Sequence, residues 1–483
     1  MASVSSRVGG DASPPVTGNH PDTDRSADRA VPSLATVTVP LDPARLPGGL
    51  TGLVESTRRA GLPAVWLRRG NGLVGIGTAA RFTDSGADRF TRARQWWGQV
   101  AASARRENAV GGPGTGPVAF GSFAFADDSA FDSRLIVPAL VVGTTDDGRC
   151  WLTQQSATGE TLTAESALAA LDALLADASS SAPAGSEGAS AAPSVARSPR
   201  GRVRDGSLTG DQWMDAVAAG VRRIGAGELH KLVLARDVVV DLDAPIDPAA
   251  VLTDLADRYR DCWTYAVEGL VGSTPEMLIK VEDNVARARV LAGTLDRASA
   301  PADDPDYAQR VLWGSTKQRQ EHDFAINSLL DRLTSYTDTM TVSSEPFVLE
   351  LPNVWHLASD VTAVLNDAPS PTGKHRTPGA LALAEALHPT AAVCGTPTAT
   401  AADLISELEH LDRGPYAGPV GWVDATGNGE WGIALRGAVL ESPTTARLFA
   451  GCGIVAASDP AAELRETWAK FRPMLQALGV QGH

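Results

Sequence analysis

The sequence predicts an α+β fold with large antiparallel sheets, and two observations predict it. Apolar and alternating runs come in hairpin-like clusters, not in the regular strand–helix–strand order of a doubly wound fold. Turn signals separate neighbouring runs, with Asp-Asp-Gly at 146–148 and Thr-Gly-Asn-Gly at 426–429. Strands joined by such short turns pair antiparallel, which favours α+β over a parallel sheet.

The composition is that of a soluble globular protein with room for a substantial core. The chain has 483 residues, of which 43% are hydrophobic and 20% charged. Its formal net charge of -15 argues against a general binder of nucleic acid or of anionic membranes. If the ligand is anionic, its lysine and arginine partners must therefore be local. No apolar run reaches the ~18 residues of a membrane span.

The cysteines give information on metal binding and compartment. Cys150, Cys262, Cys394 and Cys452 are far apart and form no CxxC pair. This pattern argues against a structural zinc site and against a disulfide framework. It fits a reducing cytosol, so we expect a cytoplasmic protein.

Two polar, low-complexity segments divide the chain. Residues 1–30 lack the apolar region of a secretory signal, and we predict a disordered N-terminal tail. Residues 179–207 are mostly small residues and proline, which cannot bury enough apolar area to offset their ordering entropy. We therefore predict a flexible insertion there, between folded parts at 31–178 and 208–476.

Periodicity places the individual elements. In 31–178, strands are predicted at 35–40, 64–77, 118–125 and 135–153, and helices at 87–107 and 164–177. The second part opens with a capping-box pattern, Thr209 to Gln212, that begins a helix to about Ile224. Its strands are predicted at 230–240, 262–268, 276–292, 340–361, 418–424, 430–440 and 446–455. Its other helices are predicted at 248–259, 305–335, 378–387, 400–411 and 459–476.

Two residues in predicted apolar strands are candidates for proton transfer. Lys231 lies in an otherwise apolar run, where it either guards a sheet edge or is a functional ammonium. Burial would lower its pKa and make it a general base near neutral pH. Glu276 follows a Gly/Pro turn and opens an apolar strand, so its pKa could be raised for a general acid. The alternative for Glu276 is a turn carboxylate hydrogen-bonded to backbone amides.

The C-terminal helix carries a charged face. If it begins near Asp459, then Glu463, Glu466 and Lys470 lie on one side, just after Gly451-Cys452-Gly453. Two carboxylates and an ammonium suit a divalent cation together with an anionic ligand. The alternative is an ordinary i,i+4 surface pair between Glu466 and Lys470, worth about 0.3–0.5 kcal/mol.

Further candidates are scattered between these segments. Glu321 lies in a charged helical run and is either a metal ligand or part of a solvated face. His356 lies in a predicted strand and is either a core histidine or a catalyst. The small residues of 388–397 allow close backbone approach to a ligand. Arg436 is predicted inside an apolar strand, where it needs a carboxylate partner. No phosphate-binding loop, nucleophile elbow or HExxH zinc motif is present.

Taken in order, these motifs resemble the chorismate-utilising enzyme family, and within it the isochorismate synthases. The resemblance covers about 208–476 and rests on VGSTPEML, ARVLAGT, QEH, HPTAAVCGTP and GCGIVAASDPAAELRETWAK. It implies a single large α+β domain, with layered antiparallel sheets and helices packed outside. The segment 31–178 would then contribute strands to the same domain.

The resemblance also implies roles for the candidate residues. Lys231 would be the general base that activates water, and Glu276 the general acid. Glu321 and Glu466 would bind Mg²⁺, with Glu463 close to the metal. The substrate would be held by Thr294, His356, Ala392, Val393, Arg436, Gly451, Gly453 and Lys470.

The implied reaction converts chorismate to isochorismate, with water added at C2 and the C4 hydroxyl lost. Salicylate synthases share the base and the metal glutamates and add a pyruvate elimination, so this alternative stays open. Anthranilate synthases typically lack the lysine found at 231, and aminodeoxychorismate synthases carry a lysine where this chain has Ala292. A degenerate relative that only binds such dianions is the non-enzymatic alternative.

The resemblance further implies a cytoplasmic monomer that needs no glutaminase subunit. Its product would serve menaquinone or siderophore biosynthesis.

Overall fold

The computed structural model describes residues 31–59, 61–179, 201–297, 300–301, 304, 306–366, 368–369, 375–376 and 378–480. The predicted tail at 1–30 and most of the predicted insertion, 180–200, lie outside the described residues.

The part of the chain up to Ser179 supplies strands to both sheets of the fold. Its helices are α1 (Gly49–Ser56), α2 (Arg89–Ser103) and α3 (Ala164–Ser179). Its strands are β1 (Ala35–Pro40), β2 (Ala64–Arg68), β3 (Asn71–Ile76), β4 (Ala80–Asp84), β5 (Arg105–Asn108), β6 (Val118–Ser122), β7 (Ser133–Val137), β8 (Leu140–Thr144) and β9 (Cys150–Ser156).

The part from Gly201 onward contains the longest strands. Its helices are α4 (Gly210–Gly225), α5 (Pro248–Arg258), α6 (Tyr307–Gly314), α7 (Thr316–Leu333), α8 (Ala380–Leu387), α9 (Thr398–Glu409) and α10 (Pro460–Ala477). Its strands are β10 (Gly201–Asp205), β11 (Lys231–Leu242), β12 (Trp263–Val267), β13 (Leu270–Thr274), β14 (Met277–Glu282), β15 (Val285–Asp296), β16 (Thr337–Val342), β17 (Phe347–Glu350), β18 (Val354–Leu365), β19 (Ala368–Pro369), β20 (His375–Arg376), β21 (Gly395–Thr396), β22 (Pro419–Asp424), β23 (Gly429–Ile433), β24 (Gly437–Ser442) and β25 (Thr445–Ile454).

Two large sheets organise these strands. The larger runs β10-β11-β25-β24-β13-β12-β2-β3-β8-β9-β1-β5, with β21 beside β11. The smaller runs β16-β18-β15-β14-β23-β22-β6-β7-β4, with β17 beside β18. Among the pairs within the described residues, only β1 with β5 is parallel. The predicted α+β class with large antiparallel sheets is confirmed.

Successive side chains along a strand point to opposite faces of the sheet and so pack in different layers of the fold. On β2, Trp66 packs in a cluster shared by both sheets, whereas Val65 and Leu67 belong to the helix-covered core of the larger sheet. That outer core includes buried side chains of α1, α3, α5 and α10. Helices α2, α7 and α8 contribute to the core on the smaller sheet. The helices therefore lie outside the paired sheets, as predicted.

The prediction of a flexible insertion is wrong for its last residues. Gly201–Asp205 forms β10, which pairs antiparallel with β11 along its whole length. Val203 packs against the outer core, and Arg204 Nε contacts Asp241 Oδ2 at 2.8 Å. Charged residues that alternate with one apolar side chain are typical of an edge strand, and low complexity in the preceding residues concealed this pattern.

Other elements refine the predicted bounds. The capping box of α4 is present, because Thr209 and Gln212 each accept a hydrogen bond from the backbone of the other. The predicted helix 305–335 is two helices, α6 and α7, because Ser315 lies between them and caps the second. Within the described part of the chain, no helix combines the length and the apolar character needed to span a membrane.

Candidate active site

Most of the predicted site residues line one cavity, which encloses about 590 Å³ of empty space, part of it open to solvent. Its walls come from both sheets and from helices α7 and α10. The predicted residues that line it are Glu276, Thr294, Glu321, His356, Ala392, Val393, Arg436, Gly451, Gly453 and Lys470. The other three, Lys231, Glu463 and Glu466, lie immediately behind these and contact them or their neighbours.

Lys231 is the first residue of β11 and is completely buried. Its strand pairs with β25 and β21, so this lysine does not guard an exposed edge. The Nζ atom lies 3.5 Å from Glu321 Oε1 and has no hydrogen-bond partner among the described residues. Burial lowers the pKa of Lys231, and the nearby carboxylates of Glu321 and Glu276 only partly oppose this. A neutral amine is therefore favoured relative to an exposed lysine.

Gly453 on β25 makes room for these two side chains. A Cβ atom at this position would lie 2.0 Å from Glu321 Oε1 and 3.1 Å from Lys231 Cε. The Glu321 side chain is only 13% exposed, so it does not lie on a solvated helix face. Any residue larger than glycine would push the carboxylate away from the amine.

Glu276 directly precedes β14 and is 5% exposed. Its backbone is fixed on both sides, because its N–H donates to Thr274 Oγ1 at 3.2 Å and its carbonyl accepts from the Ile433 N–H at 3.1 Å. Burial raises the pKa of Glu276 to about 8, although a backbone hydrogen bond from Leu291 and the charge of Lys231 oppose this. The carboxyl group is therefore largely protonated at neutral pH and can donate a proton.

A chain of hydrogen bonds crosses the smaller-sheet wall of the cavity. Arg436 Nη2 lies 3.0 Å from His356 Nε2, and His356 Nδ1 lies 3.1 Å from Thr294 Oγ1. Because the guanidinium only donates, Nε2 accepts and Nδ1 carries the proton. Burial and the charge of Arg436 hold the pKa of His356 well below its usual value. The histidine is thus a neutral, satisfied member of the wall.

Thr294 owes its position to an irregularity in β15. The register between β15 and β18 shifts between Leu291 and Thr294, next to Gly293 with a φ of 86°. Gln318 of α7 holds this bulge, accepting from the Thr294 N–H at 2.9 Å and donating to its carbonyl at 3.1 Å.

The prediction for Arg436 is wrong in two respects. The residue lies between β23 and β24 rather than inside a strand, and its φ of 51° is left-handed. Such a conformation costs about 1–3 kcal/mol. The neighbouring Leu435 carbonyl accepts from the Tyr265 hydroxyl at 2.9 Å, which helps to hold this turn. Within the described residues, no carboxylate forms an ion pair with Arg436, and its observed partner is His356.

The C-terminal helix α10 carries Glu463, Glu466 and Lys470, and of these three Lys470 lines the cavity. Lys470 Nζ lies 2.7 Å from Glu466 Oε1 and donates to the Gly451 carbonyl at 2.7 Å. Burial alone would lower the pKa of Lys470, but Glu466 outweighs it and raises that pKa. Burial likewise opposes ionisation of Glu466, but Lys470 and Lys317 outweigh it and lower the pKa of Glu466. The pair is charged and only 14–19% exposed, so it is not a surface ion pair.

A group of possible ligand atoms lies beside this pair. The ligand atoms of Cys452, Glu463 and Glu466 all lie within 4.8 Å of one another. The Cys452 thiol donates to the Glu463 carbonyl at 3.3 Å, and burial raises its pKa well above the usual value. Carboxylate oxygens suit a hard cation such as Mg²⁺, whereas a neutral thiol does not. Glu463 and Glu466 therefore offer oxygen atoms of the kind that Mg²⁺ takes, whereas Glu321, the other predicted metal ligand, is not a member of this group.

Glu463 has a partner that the sequence did not indicate. It is 1% exposed, and the Lys317 ammonium of α7 donates a short hydrogen bond to its Oε1. Burial and the adjacent Glu466 raise the pKa of Glu463, and Lys317 opposes them. Lys317 belongs to the charged run for which a solvated face was one interpretation.

A buried ion pair fixes the loop that carries Ala392 and Val393. Arg413 donates to the Val393 carbonyl and to the Val233 carbonyl of β11, each at 2.8 Å. Glu409 pairs with Arg413 and accepts from the Ala235 N–H at 2.6 Å. The loop and β11 are thereby held in one arrangement.

Two aromatic residues of the cavity were not predicted. Tyr416 and Phe449 stack with ring centroids 5.2 Å apart, and both line the cavity. Burial raises the pKa of Tyr416 to about 12. The Gly414-Pro415 turn before Tyr416 is a signal that could have indicated a loop aromatic, whereas Phe449 resembles any core residue of a strand.

A wider cavity lies elsewhere, with about 1260 Å³ of empty space, and is lined by Trp66, Trp263, Trp422 and Lys280 among others. It contains none of the predicted site residues. The smaller cavity is the candidate active site because ten of the thirteen predicted site residues line it, and the buried amine of Lys231 lies 3.5 Å from one of them, Glu321.

A chain with these sheets and this set of titratable groups is a chorismate-utilising enzyme. The family model described as "Chorismate binding enzyme" matches residues 51–479, so the chain belongs to this family. The predicted family membership is confirmed.

Known relatives agree with this assignment. Over 425 residues the chain is 30% identical to the isochorismate synthase MenF of Bacillus subtilis, covering 84% of this chain and 85% of that protein. Over 281 residues it is 37% identical to the isochorismate synthase DhbC of the same organism, covering 56% and 68%. The structure of MenF, the menaquinone-specific isochorismate synthase from Escherichia coli, superposes with a TM-score of 0.69 at 24% identity, covering 93% and 95%.

Proposed function

We propose that this protein is an isochorismate synthase that converts chorismate to isochorismate. The observation that carries the proposal is that the buried carboxyl group of Glu276 lines the same cavity as Glu321, and that the buried amine of Lys231 lies 3.5 Å from Glu321. Burial lowers the pKa of Lys231 and raises that of Glu276 to about 8. An amine and a carboxyl group in these states can take up one proton and release another at neutral pH. Further support comes from the relatives named as isochorismate synthases.

In the proposed reaction, Lys231 accepts a proton from water as the water oxygen bonds to C2 of chorismate. The ring double bonds shift, the C4–O bond breaks, and Glu276 donates its proton to the departing hydroxyl, which leaves as water. The substrate and product have the same composition. The proton gained by Lys231 returns to Glu276 through solvent, and the enzyme is reset.

The two substrate carboxylates need local cations in a protein of net charge -15. Lys470 and Arg436 would supply them, and the backbone around Ala392, Val393, Gly451 and Gly453 would bind the remaining oxygens. Lys470 is already fixed by Glu466 and Gly451, so little side-chain entropy is lost when the substrate binds.

Glu321 and Glu466 would hold Mg²⁺, with Glu463 close by. When bound, Mg²⁺ supplies positive charge that offsets the protein carboxylates and orients a substrate carboxylate. Glutamates and a dianion repel one another without such a charge, so metal and substrate should bind cooperatively. We expect a cytoplasmic monomer that acts without a glutaminase subunit. Its four free, buried cysteines are consistent with the cytoplasm.

A product assay tests the proposal. Purified protein is incubated with chorismate and Mg²⁺, with and without ammonium, and the products are separated by liquid chromatography. Isochorismate alone supports the proposal. Salicylate with pyruvate identifies a salicylate synthase, anthranilate in the presence of ammonium identifies an anthranilate synthase, and binding without turnover identifies a degenerate relative. Each of these three outcomes contradicts the proposal.

A further inference from the structure

Lys317 occupies an unfavourable position on its helix. It is the second residue of α7, in the first turn after the capping Ser315. The partial positive charge of a helix N-terminus disfavours a cation there. Its side chain is also only 22% exposed, so the ammonium is not simply solvated. A local interaction must offset both costs.

That interaction is with the carboxylates of the candidate metal site. Lys317 Nζ forms an ion pair and a hydrogen bond with Glu463, which is 1% exposed on the first turn of α10. Glu321, one turn further along α7, and Glu466 also attract the Lys317 ammonium. The ammonium of Lys470 is bound to Glu466. Lys317 is therefore in contact with Glu463 and near enough to Glu321 and Glu466 to be attracted by their charges.

We propose that Lys317 is an internal cation that competes with the divalent metal for these carboxylates. In the metal-free protein it offsets the repulsion among Glu321, Glu463 and Glu466 and allows them to be buried together. A divalent cation that binds the same oxygens must displace the ammonium from Glu463 or bind against its charge. The inference rests on the proposed Mg²⁺ site. It implies that Lys317 lowers the affinity of the site for the metal and stabilises the protein when no metal is bound.

The test measures Mg²⁺ binding to the substrate-free, full-length protein. Titration calorimetry with Mg²⁺, and loss of the free Mn²⁺ signal in electron paramagnetic resonance, give the Kd for wild type, Lys317→Met, Lys317→Gln and Lys317→Arg. We expect both neutral variants to bind about tenfold more tightly than wild type, because one repulsive charge is gone. The arginine variant keeps the charge and should bind like wild type. Lys280→Met, which removes a lysine paired with Glu430 at the wider cavity, is the matched control and should leave the Kd unchanged.

Thermal unfolding gives a second readout. Without metal, both neutral variants should melt below wild type, and added Mg²⁺ should raise their melting temperature more than it raises that of wild type. Circular dichroism confirms that each variant is folded, and the glutamine variant serves if the methionine variant is not.

The outcomes separate this inference from the proposed function. If wild type binds Mg²⁺ and the neutral variants bind it equally or more weakly, the inference is overturned while the proposed function stands. If wild type binds no divalent cation yet converts chorismate, the metal assignment and this inference both fail. If wild type makes no isochorismate but the neutral variants bind Mg²⁺ more tightly, the inference holds and the proposed activity fails.

Discussion

Lysine and glutamate occur together on two sides of the candidate active site, and the two pairs are held in different charge states. On one side, burial lowers the pKa of Lys231 and raises that of Glu276, which favours a neutral amine and a protonated carboxyl group. On the other side, the side chains of Lys470 and Glu466 are 14% and 19% exposed, their pKa values shift in the opposite directions, and both groups stay charged.

The difference lies in the contacts that each group makes. Lys470 Nζ has two partners at 2.7 Å, and one of them is the carboxylate of Glu466. Lys231 Nζ has only Glu321 at 3.5 Å and makes no hydrogen bond to a described residue. Burial favours the neutral form of an ionisable group that has no close partner, whereas a close partner of opposite charge keeps a buried group ionised. The same two residue types can therefore serve proton transfer on one side and anion binding on the other.

The largest expected effect concerns Lys231 and Glu276, the pair for which burial favours the neutral forms. Lys231→Met removes the proposed base while keeping most of the side-chain volume, and kcat should fall by about 10²- to 10⁴-fold. Steady-state kinetics measure the loss, and titration with Mg²⁺ should show that metal binding persists. Near-normal turnover would show that Lys231 is not the base, and the proposed contrast between the two pairs would then be wrong.

A substitution in the charged pair of Lys470 and Glu466 should mainly raise KM for chorismate. Lys470→Met deletes one cation for a substrate carboxylate and leaves Glu466 unpaired, so KM for chorismate should rise about 10- to 100-fold. The effect on kcat should be smaller than that on KM. A variant that loses kcat while keeping KM would instead place Lys470 in the chemical step.

The pH dependence should follow the acid. Glu276 must be protonated to donate, so kcat/KM should fall about tenfold per pH unit above the pKa of about 8. The profile of kcat/KM against pH measures this. In Glu276→Gln, the activity should be lower at every pH, and the decline above pH 8 due to this group should be absent. If the decline persists unchanged in the variant, another group causes it.

The smallest effect concerns stability. In the unfolded chain Glu276 ionises near its ordinary pKa of 4.5, but the folded protein keeps it protonated up to about 8. The folded state therefore binds more protons in this range, and the free energy of unfolding should decrease as pH rises from about 5 to 8. Glu276→Gln should remove this loss and be more stable than wild type at pH 8, by on the order of 2 kcal/mol. Urea unfolding at pH 5 and pH 8 measures the difference, and an equal effect at both pH values would contradict it.

Part of the candidate site could be predicted from the sequence, because it depends on patterns of neighbouring residues. Lys231 and Glu276 each adjoin an apolar run, and burial follows from those neighbours. The shared face of Glu463, Glu466 and Lys470 follows from helical spacing. The assignment of roles to these residues depended on the family resemblance, because spacing alone left a surface ion pair open.

Other features depend on tertiary contacts that no local pattern carries. Lys317 meets Glu463 only because α7 and α10 approach each other, although the two residues are 146 positions apart. The left-handed φ of Arg436 is invisible in a run that reads as one apolar strand. Strand β10 contains one inward-facing valine among charged residues, and its identity as a strand comes from pairing with β11.

The order of strands in the sheets has a consequence for synthesis of the protein. In the smaller sheet β6 pairs with β22, and in the larger sheet β11 pairs with β25, which comes just before the last helix. In a nascent chain that has reached residue 400, β6 has its partner β7 but lacks β22, and β11 has β10 and β21 but lacks β25, so each sheet has an open edge. Because such distant pairings form slowly, we expect the candidate active site to be completed only after β25 and α10 have joined the rest of the fold, and partly folded chains with unpaired sheet edges to be prone to aggregation before that point.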